Sequence, residues 1–94
     1  MEKQTYNGWT NYATWRVNLE MIDGMEPDDF GFSRKEEFTL TEVFELADAL
    51  QNHAEEFIEL ECGRGLARDY ALAFLSYVNW REIAQHMVNE FTEA

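Results

Sequence analysis

Positive charge is scarce in this sequence. Seven Lys and Arg residues oppose 19 Asp and Glu residues, so the formal net charge of the 94-residue chain is −12 at pH 7. A field of this sign repels phosphate, which argues against direct binding to nucleic acid or to an anionic membrane. It attracts basic surfaces instead, including those that normally hold DNA or RNA. The alternative interpretation is that the charge serves only solubility.

Cysteine and long apolar runs are also scarce. Cys62 is the one cysteine, so an internal disulfide is excluded and a reducing compartment is indicated. No run approaches the roughly 18 apolar residues that a membrane helix needs, and residues 1–6 lack the apolar core of a signal peptide. These absences predict a soluble, cytoplasmic protein.

The chain has one Pro, and its five Gly fall between periodic segments, a distribution that favours helices over strands. An apolar fraction of 46%, with 15% aromatic residues, can supply a core for a single domain over residues 1–94. We therefore predict an all-α fold. It is a compact bundle of about four helices, at approximately 10–22, 40–62, 66–78 and 80–91, with an acidic connection at 23–38.

The first and third helices are predicted from their apolar residues. Tyr12, Trp15, Leu19 and Ile22 recur at helical spacing, which predicts a buried stripe on a helix capped by Thr10 or Asn11. The Asn7-Gly8 pair before it indicates a turn. Residues 70–78 carry no charge, so the third helix is predicted to be the most buried of the four.

The second helix has the clearest division into two faces. Thr39 and Glu42 have the spacing of a capping box at its start. The predicted core face contains Leu40, Val43, Phe44, Ala47, Leu50, Ala54, Phe57 and Ile58. The opposite face is rich in carboxylates and contains no Lys or Arg.

The acidity is regional, because residues 20–61 hold fourteen of the nineteen acids. Spaced carboxylates on a rigid helix can imitate the phosphates of a duplex. The predicted partner-binding residues are those of the second helix and of the loop before it: Glu42, Glu45, Asp48, Glu55, Glu56, Glu59, Asp28 and Asp29. A solvated helix face without a partner is the competing interpretation.

Other chemistry has little support in the sequence. His53, Cys62 and His86 do not follow a metal-ligand spacing, and the acids around Pro27 do not match a calcium loop. No catalytic triad, nucleophile elbow or phosphate loop is present. We expect a protein that is not an enzyme, with no metal and no cofactor.

Two further structural features are expected from the sequence. Phe30 and Phe32 are expected to attach the acidic connection to the core, and Asn79 is expected to cap the fourth helix through Glu82.

Two segments carry a resemblance to known sequences. The segments Tyr6-Asn-Gly-Trp-Thr-Asn-Tyr-Ala-Thr-Trp15 and Val78-Asn-Trp-Arg-Glu-Ile-Ala-Gln-His86 resemble small uncharacterised proteins of bacteriophages and mobile elements. Those proteins share an Asn-Tyr-x-Thr-Trp motif, usually with Glu where this chain has Ala13. The resemblance implies a phage protein acting in the host bacterial cytoplasm, in the manner of anti-CRISPR or anti-restriction inhibitors.

These observations lead to one preferred hypothesis and one alternative. The preferred function is inhibition of a host defence complex by a DNA mimic that binds a basic nucleic-acid-binding surface. The alternative is a structural or oligomeric phage protein, for example a homodimer, that associates through aromatic surface while its charge serves only solubility.

Overall fold

The computed structural model describes residues 6–33 and 37–91, and within these ranges it is an all-α protein of four helices without a β-strand. Helix α1 is Tyr12–Val17 and continues into a π-helical turn, Asn18–Ile22; α2 is Leu40–Cys62, α3 is Leu66–Leu75 and α4 is Trp80–Phe91. A short 3₁₀ turn, Pro27–Phe30, lies between α1 and α2. The predicted fold class is confirmed. Residues 34–36 of the predicted acidic connection lie outside the described ranges.

Side-chain caps fix where three helices begin. Asn11 caps α1, because its Oδ1 accepts a hydrogen bond of 2.9 Å from the Thr14 N–H. Thr39 and Glu42 form the predicted capping box of α2. Asn79 precedes α4 and accepts a bond of 3.1 Å from the Glu82 N–H. Each cap satisfies backbone donors that the first helical turn leaves free.

The Asn7-Gly8 turn closes a small loop before α1. Tyr6 and Trp9 exchange two backbone hydrogen bonds of 2.8 Å across it. Asn7 and Gly8 both have positive φ, 47° and 87°, as a two-residue turn of this hand requires.

The core lies between α2 and α4, with α3 and the 3₁₀ turn packed against α2. On α2 the buried side chains are Val43, Leu46, Ala47, Leu50 and Ala54, and on α4 they are Trp80, Ile83, Ala84, Met87, Val88 and Phe91. Leu46 is fully buried although it was absent from the predicted core face, whereas Leu40, Phe44 and Phe57 are exposed. The buried face is therefore rotated toward Leu46 from the predicted one.

The predicted stripe of α1 is wrong in three of its four positions. Tyr12 and Leu19 are exposed and Trp15 is half-buried, whereas Ala13, Thr14 and Val17 are buried and only Ile22 is buried as predicted. The cause is the π-helical turn, in which the Asp23 N–H donates to the Asn18 carbonyl over 2.7 Å. A π turn adds a residue to the helical period, so the core positions follow a spacing of four and then five residues.

The prediction that the third helix is the most buried is also wrong. Leu75 is the only fully buried residue of α3, while Leu66 is 65% and Tyr70 is 69% exposed. The helix packs one edge on α2 and α1, and no described element covers its outer face. It also ends at Leu75, three residues earlier than predicted, because Ser76 and Tyr77 form a turn. An uncharged sequence is not buried unless another element is placed over it.

The acidic connection is attached to the core as expected. Pro27 is fully buried, and Phe30 and Phe32 are half-buried against the core. Glu26 and Asp29 form a capping box around the 3₁₀ turn, with the Glu26 N–H donating to Asp29 Oδ2 over 2.8 Å. The turn is therefore a fixed part of the molecule that contacts both α2 and α4.

Candidate partner-binding surface

Five of the seven carboxylates of α2 lie along its outer side, and we call them the acidic stripe: Glu45, Asp48, Glu55, Glu56 and Glu59. Asn52 lies in the middle of this stripe. The positions 45, 48, 52, 56 and 59 are separated by three or four residues, so they follow one side of the helix. Because α2 is a regular helix, the stripe is about 21 Å long at 1.5 Å per residue. The opposite side of the helix is buried in the core, which holds the stripe in a fixed orientation.

Three members of the stripe are exposed and carry uncompensated charge. Glu45, Asp48 and Glu56 make no ion pair with any cation among the described residues. A partner could therefore approach them without breaking a salt bridge within the described part of the chain. These three residues are the strongest candidates for contact with a basic surface.

The other two members are already engaged. Glu59 Oε1 accepts a hydrogen bond of 2.8 Å from Arg68 of α3, and this bond raises the pKa of the Arg68 guanidinium above its usual value. Since a guanidinium is charged at neutral pH in any case, Arg68 offsets the charge of Glu59. Glu55 is half-buried and accepts a bond of 3.2 Å from Gln51 Nε2.

Glu42, another predicted partner-binding residue, takes part in the capping box of α2. It is half-buried, and its Oε1 accepts bonds from the backbone N–H and the hydroxyl of Thr39, at 3.0 and 3.2 Å. Glu42 precedes Glu45 by three residues but lies toward the core side of the stripe. Its carboxylate completes the capping box at the start of α2.

Asp28 and Asp29 are exposed but belong to a separate element. Their turn contacts α2 through Phe30, whose ring centroid lies 5.7 Å from that of His53. His53 follows Asn52, so this contact is about 100° around the helix axis from the centre of the stripe. Asp29 uses one oxygen in the cap of its own turn. These two acids therefore flank the stripe and do not extend it.

A second surface feature joins the two segments that carry the sequence resemblance. The Thr10 N–H donates to Glu82 over 2.9 Å, and the Asn79 N–H donates to the buried Thr14 hydroxyl over 2.9 Å. Beside this junction is an open groove of about 640 Å³, in which the rings of Trp9 and His86 are 4.9 Å apart. Its other polar lining side chains include Asn7, Arg81, Gln85 and Asn89. This groove was not predicted from the sequence, and all of its lining residues except Asn89 belong to the two resembling segments.

The described part of the chain contains neither a cluster of metal ligands nor a candidate membrane span. No three His, Cys, Asp or Glu side chains within residues 6–33 and 37–91 come together as metal ligands. His53 and His86 instead contact Phe30 and Trp9. Over the same ranges, no helix combines the length and the apolar character needed to cross a bilayer.

A family model matches residues 2–93, nearly the whole chain. The chain belongs to DUF7249, a family of unknown function. No curated protein and no solved structure matches it. Membership of DUF7249 covers both resembling segments and the acidic α2 between them, and it assigns neither a phage origin nor an inhibitory activity.

Proposed function

We propose that this DUF7249 protein is a non-enzymatic inhibitor that binds a basic, nucleic-acid-binding surface of a host defence complex through the acidic stripe. The observation that carries the proposal is the group of exposed carboxylates Glu45, Asp48 and Glu56, which lie on one side of a fixed helix and pair with no cation of residues 6–33 and 37–91. A face that serves only solvation usually mixes both signs of charge, whereas α2 contains no Lys or Arg. The resemblance to proteins of phages and mobile elements supplies the context of host defence.

The mechanism is competition for Lys and Arg side chains that otherwise hold phosphate. Because Arg68 offsets the charge of Glu59, the stripe presents four carboxylates between Glu45 and Glu56, over about 17 Å, while one strand of a duplex carries one phosphate per ~3.4 Å. The stripe therefore has a charge density of the same order as a single strand. Because α2 is already ordered by the core, binding does not require the contact residues to fold first, which limits its entropic cost.

The test is displacement of DNA from purified defence complexes. A panel of CRISPR effector and restriction complexes is loaded with a fluorescent DNA duplex, the protein is added, and release is followed by fluorescence anisotropy. We expect displacement from at least one complex, with an apparent affinity that falls steeply as salt rises from about 0.05 to about 0.3 M.

The residues are tested by charge reversal. Combining Glu45→Lys, Asp48→Lys and Glu56→Lys is expected to weaken displacement at least about a hundredfold, since close charge pairs contribute roughly 1.5 kcal/mol or more each. A control that combines Asp23→Lys, Glu61→Lys and Glu90→Lys makes the same change in net charge at exposed positions outside the stripe. The proposal is wrong if both triple variants lose activity equally, if the stripe variant keeps it, or if no complex releases its DNA.

A further inference from the structure

The outer face of α3 has the character of a surface that is normally covered. Taken about the helix axis from Tyr70, the residues within about 60° on either side are Leu66, Ala67, Ala73 and Phe74. None of these is charged, whereas Arg68 and Asp69 lie outside this sector. An apolar sector at least 100° wide is what a helix of a globular protein turns toward a core. Here it faces away from the core.

This apolar sector continues onto α1 without a gap. The ring of Phe74 lies 6.4 Å from the ring of Tyr12, which in turn lies 5.1 Å from the ring of Tyr6. Tyr77, just beyond the end of α3, is 70% exposed. We call Leu66, Tyr70, Phe74, Tyr12, Tyr6 and Tyr77 the aromatic face.

The area and the charge of the aromatic face fit a second copy of this chain. With the large side chains taken as roughly 150–250 Å² each, their exposed fractions amount to on the order of 600 Å². Two such faces together reach the ~1,200 Å² at which stable protein–protein interfaces begin. Asp69 is the one acid between Leu66 and Val78, so this is where two chains of net charge −12 can meet with least repulsion.

The geometry of α3 also suits a two-fold interface, in which the same patch contacts itself. Leu66 and Phe74 are placed four residues before and four after Tyr70. In an antiparallel pair of α3 helices centred on Tyr70, Leu66 of each copy would meet Phe74 of the other. The exposed Ala67 and Ala73 leave room for the two helices to approach closely.

We propose that the aromatic face is the interface of a homodimer whose two-fold axis passes near Tyr70. It is formed by α3 and the start of α1, and it does not involve the acidic stripe. Its affinity increases with salt, because screening weakens the repulsion between two acidic chains while apolar contact remains.

Sedimentation velocity over a concentration series tests the dimer. The wild-type chain is expected to change from monomer to dimer, and the dimer fraction is expected to rise as salt increases from about 0.05 to about 0.5 M. Tyr70→Glu should raise the dissociation constant at least about tenfold. Leu60→Glu adds the same charge at an apolar position of α2 that is 85% exposed and outside the face, so it should change the constant much less.

Disulfide trapping tests the position of the axis in chains that are already folded. In a Cys62→Ser background, Tyr70→Cys is expected to form a covalent dimer on mild oxidation, whereas Leu60→Cys is not. Purely monomeric wild-type protein at every concentration and salt, an unchanged dimer in Tyr70→Glu, or equal trapping at both cysteine positions would each overturn the proposal.

Discussion

Helices α2 and α3 show opposite relations between sequence and environment. Helix α2 contains seven of the nineteen acids, more than any other helix, yet its Leu46, Leu50 and Ala54 are fully buried. Helix α3 has an apolar run that the sequence analysis placed deepest in the core, yet its Leu66 and Tyr70 are largely exposed. The difference is the number of neighbours, since α2 is packed by α4, α3 and the 3₁₀ turn. Burial therefore follows from what covers a helix, and the composition of the helix does not decide it.

The largest expected effect is the loss of stability when a buried residue of α2 is truncated, compared with truncation of an exposed residue of α3. Leu50→Ala should lower the free energy of unfolding by about 2–5 kcal/mol, because it removes a fully buried side chain and leaves a cavity. Tyr70→Ala on α3 should change it by no more than about 0.5 kcal/mol at concentrations where the chain is monomeric. Urea denaturation measures both. Similar losses for the two variants would contradict the exposed placement of α3.

A buried polar residue extends the comparison to α1. The Thr14 hydroxyl is fully buried, accepts from the Asn79 N–H over 2.9 Å and donates to Asn11 Oδ1 over 2.7 Å. Thr14→Val should cost about 1–3 kcal/mol, because the Asn79 N–H loses its acceptor and Asn11 Oδ1 loses one of its two donors. Thermal denaturation measures the change. The same substitution at the exposed Thr41 of α2 is the control and should be close to neutral; equal effects would argue against the Thr14 network.

Removal of the side-chain cap at the start of α2 is expected to cause a smaller loss of stability. Thr39→Ala removes the side chain that accepts from the Glu42 N–H over 3.1 Å and should destabilise the protein by about 1 kcal/mol. Helix α3 begins at Gly65 without a side-chain cap, so the corresponding contribution is missing there. Urea denaturation beside a Thr41→Ala control measures the difference. A Thr39 variant as stable as its control would show that the box does not hold the end of α2.

The smallest effect is expected when charge alone is removed from the outer side of α2. Glu45→Gln, Asp48→Asn and Glu56→Gln should each change the free energy of unfolding by no more than about 0.5 kcal/mol, because these carboxylates have no ion-pair partner among the described residues. Thermal denaturation of the single variants checks this. A loss above about 1 kcal/mol would assign the stripe a role in the fold and weaken its proposed role in binding.

Only those parts of the candidate site that depend on the spacing of nearby residues could be predicted from the sequence. The line of Glu45, Asp48 and Glu56 follows from the helical period and from a cap at Thr39, both readable in the sequence. The engagement of Glu59 by Arg68 depends on how α3 returns along α2, across a separation of nine residues and a turn at Gly63. The groove beside Trp9 and His86 joins residues more than seventy positions apart, which no local pattern specifies.

Local sequence was enough to predict the all-α class, the caps at Thr39 and Asn79, the Asn7-Gly8 turn and the acidic side of α2, whereas it left the cap of α1 open between Thr10 and Asn11. These features depend on interactions within a few residues of the chain, such as a cap oxygen and the N–H three positions later. Only the tertiary structure decided that the core side of α2 is centred near Leu46, that α1 changes its period at Asn18, and that α3 is left uncovered. The reason is that burial requires a second surface, and which surface meets which helix is settled by the packing of the whole domain.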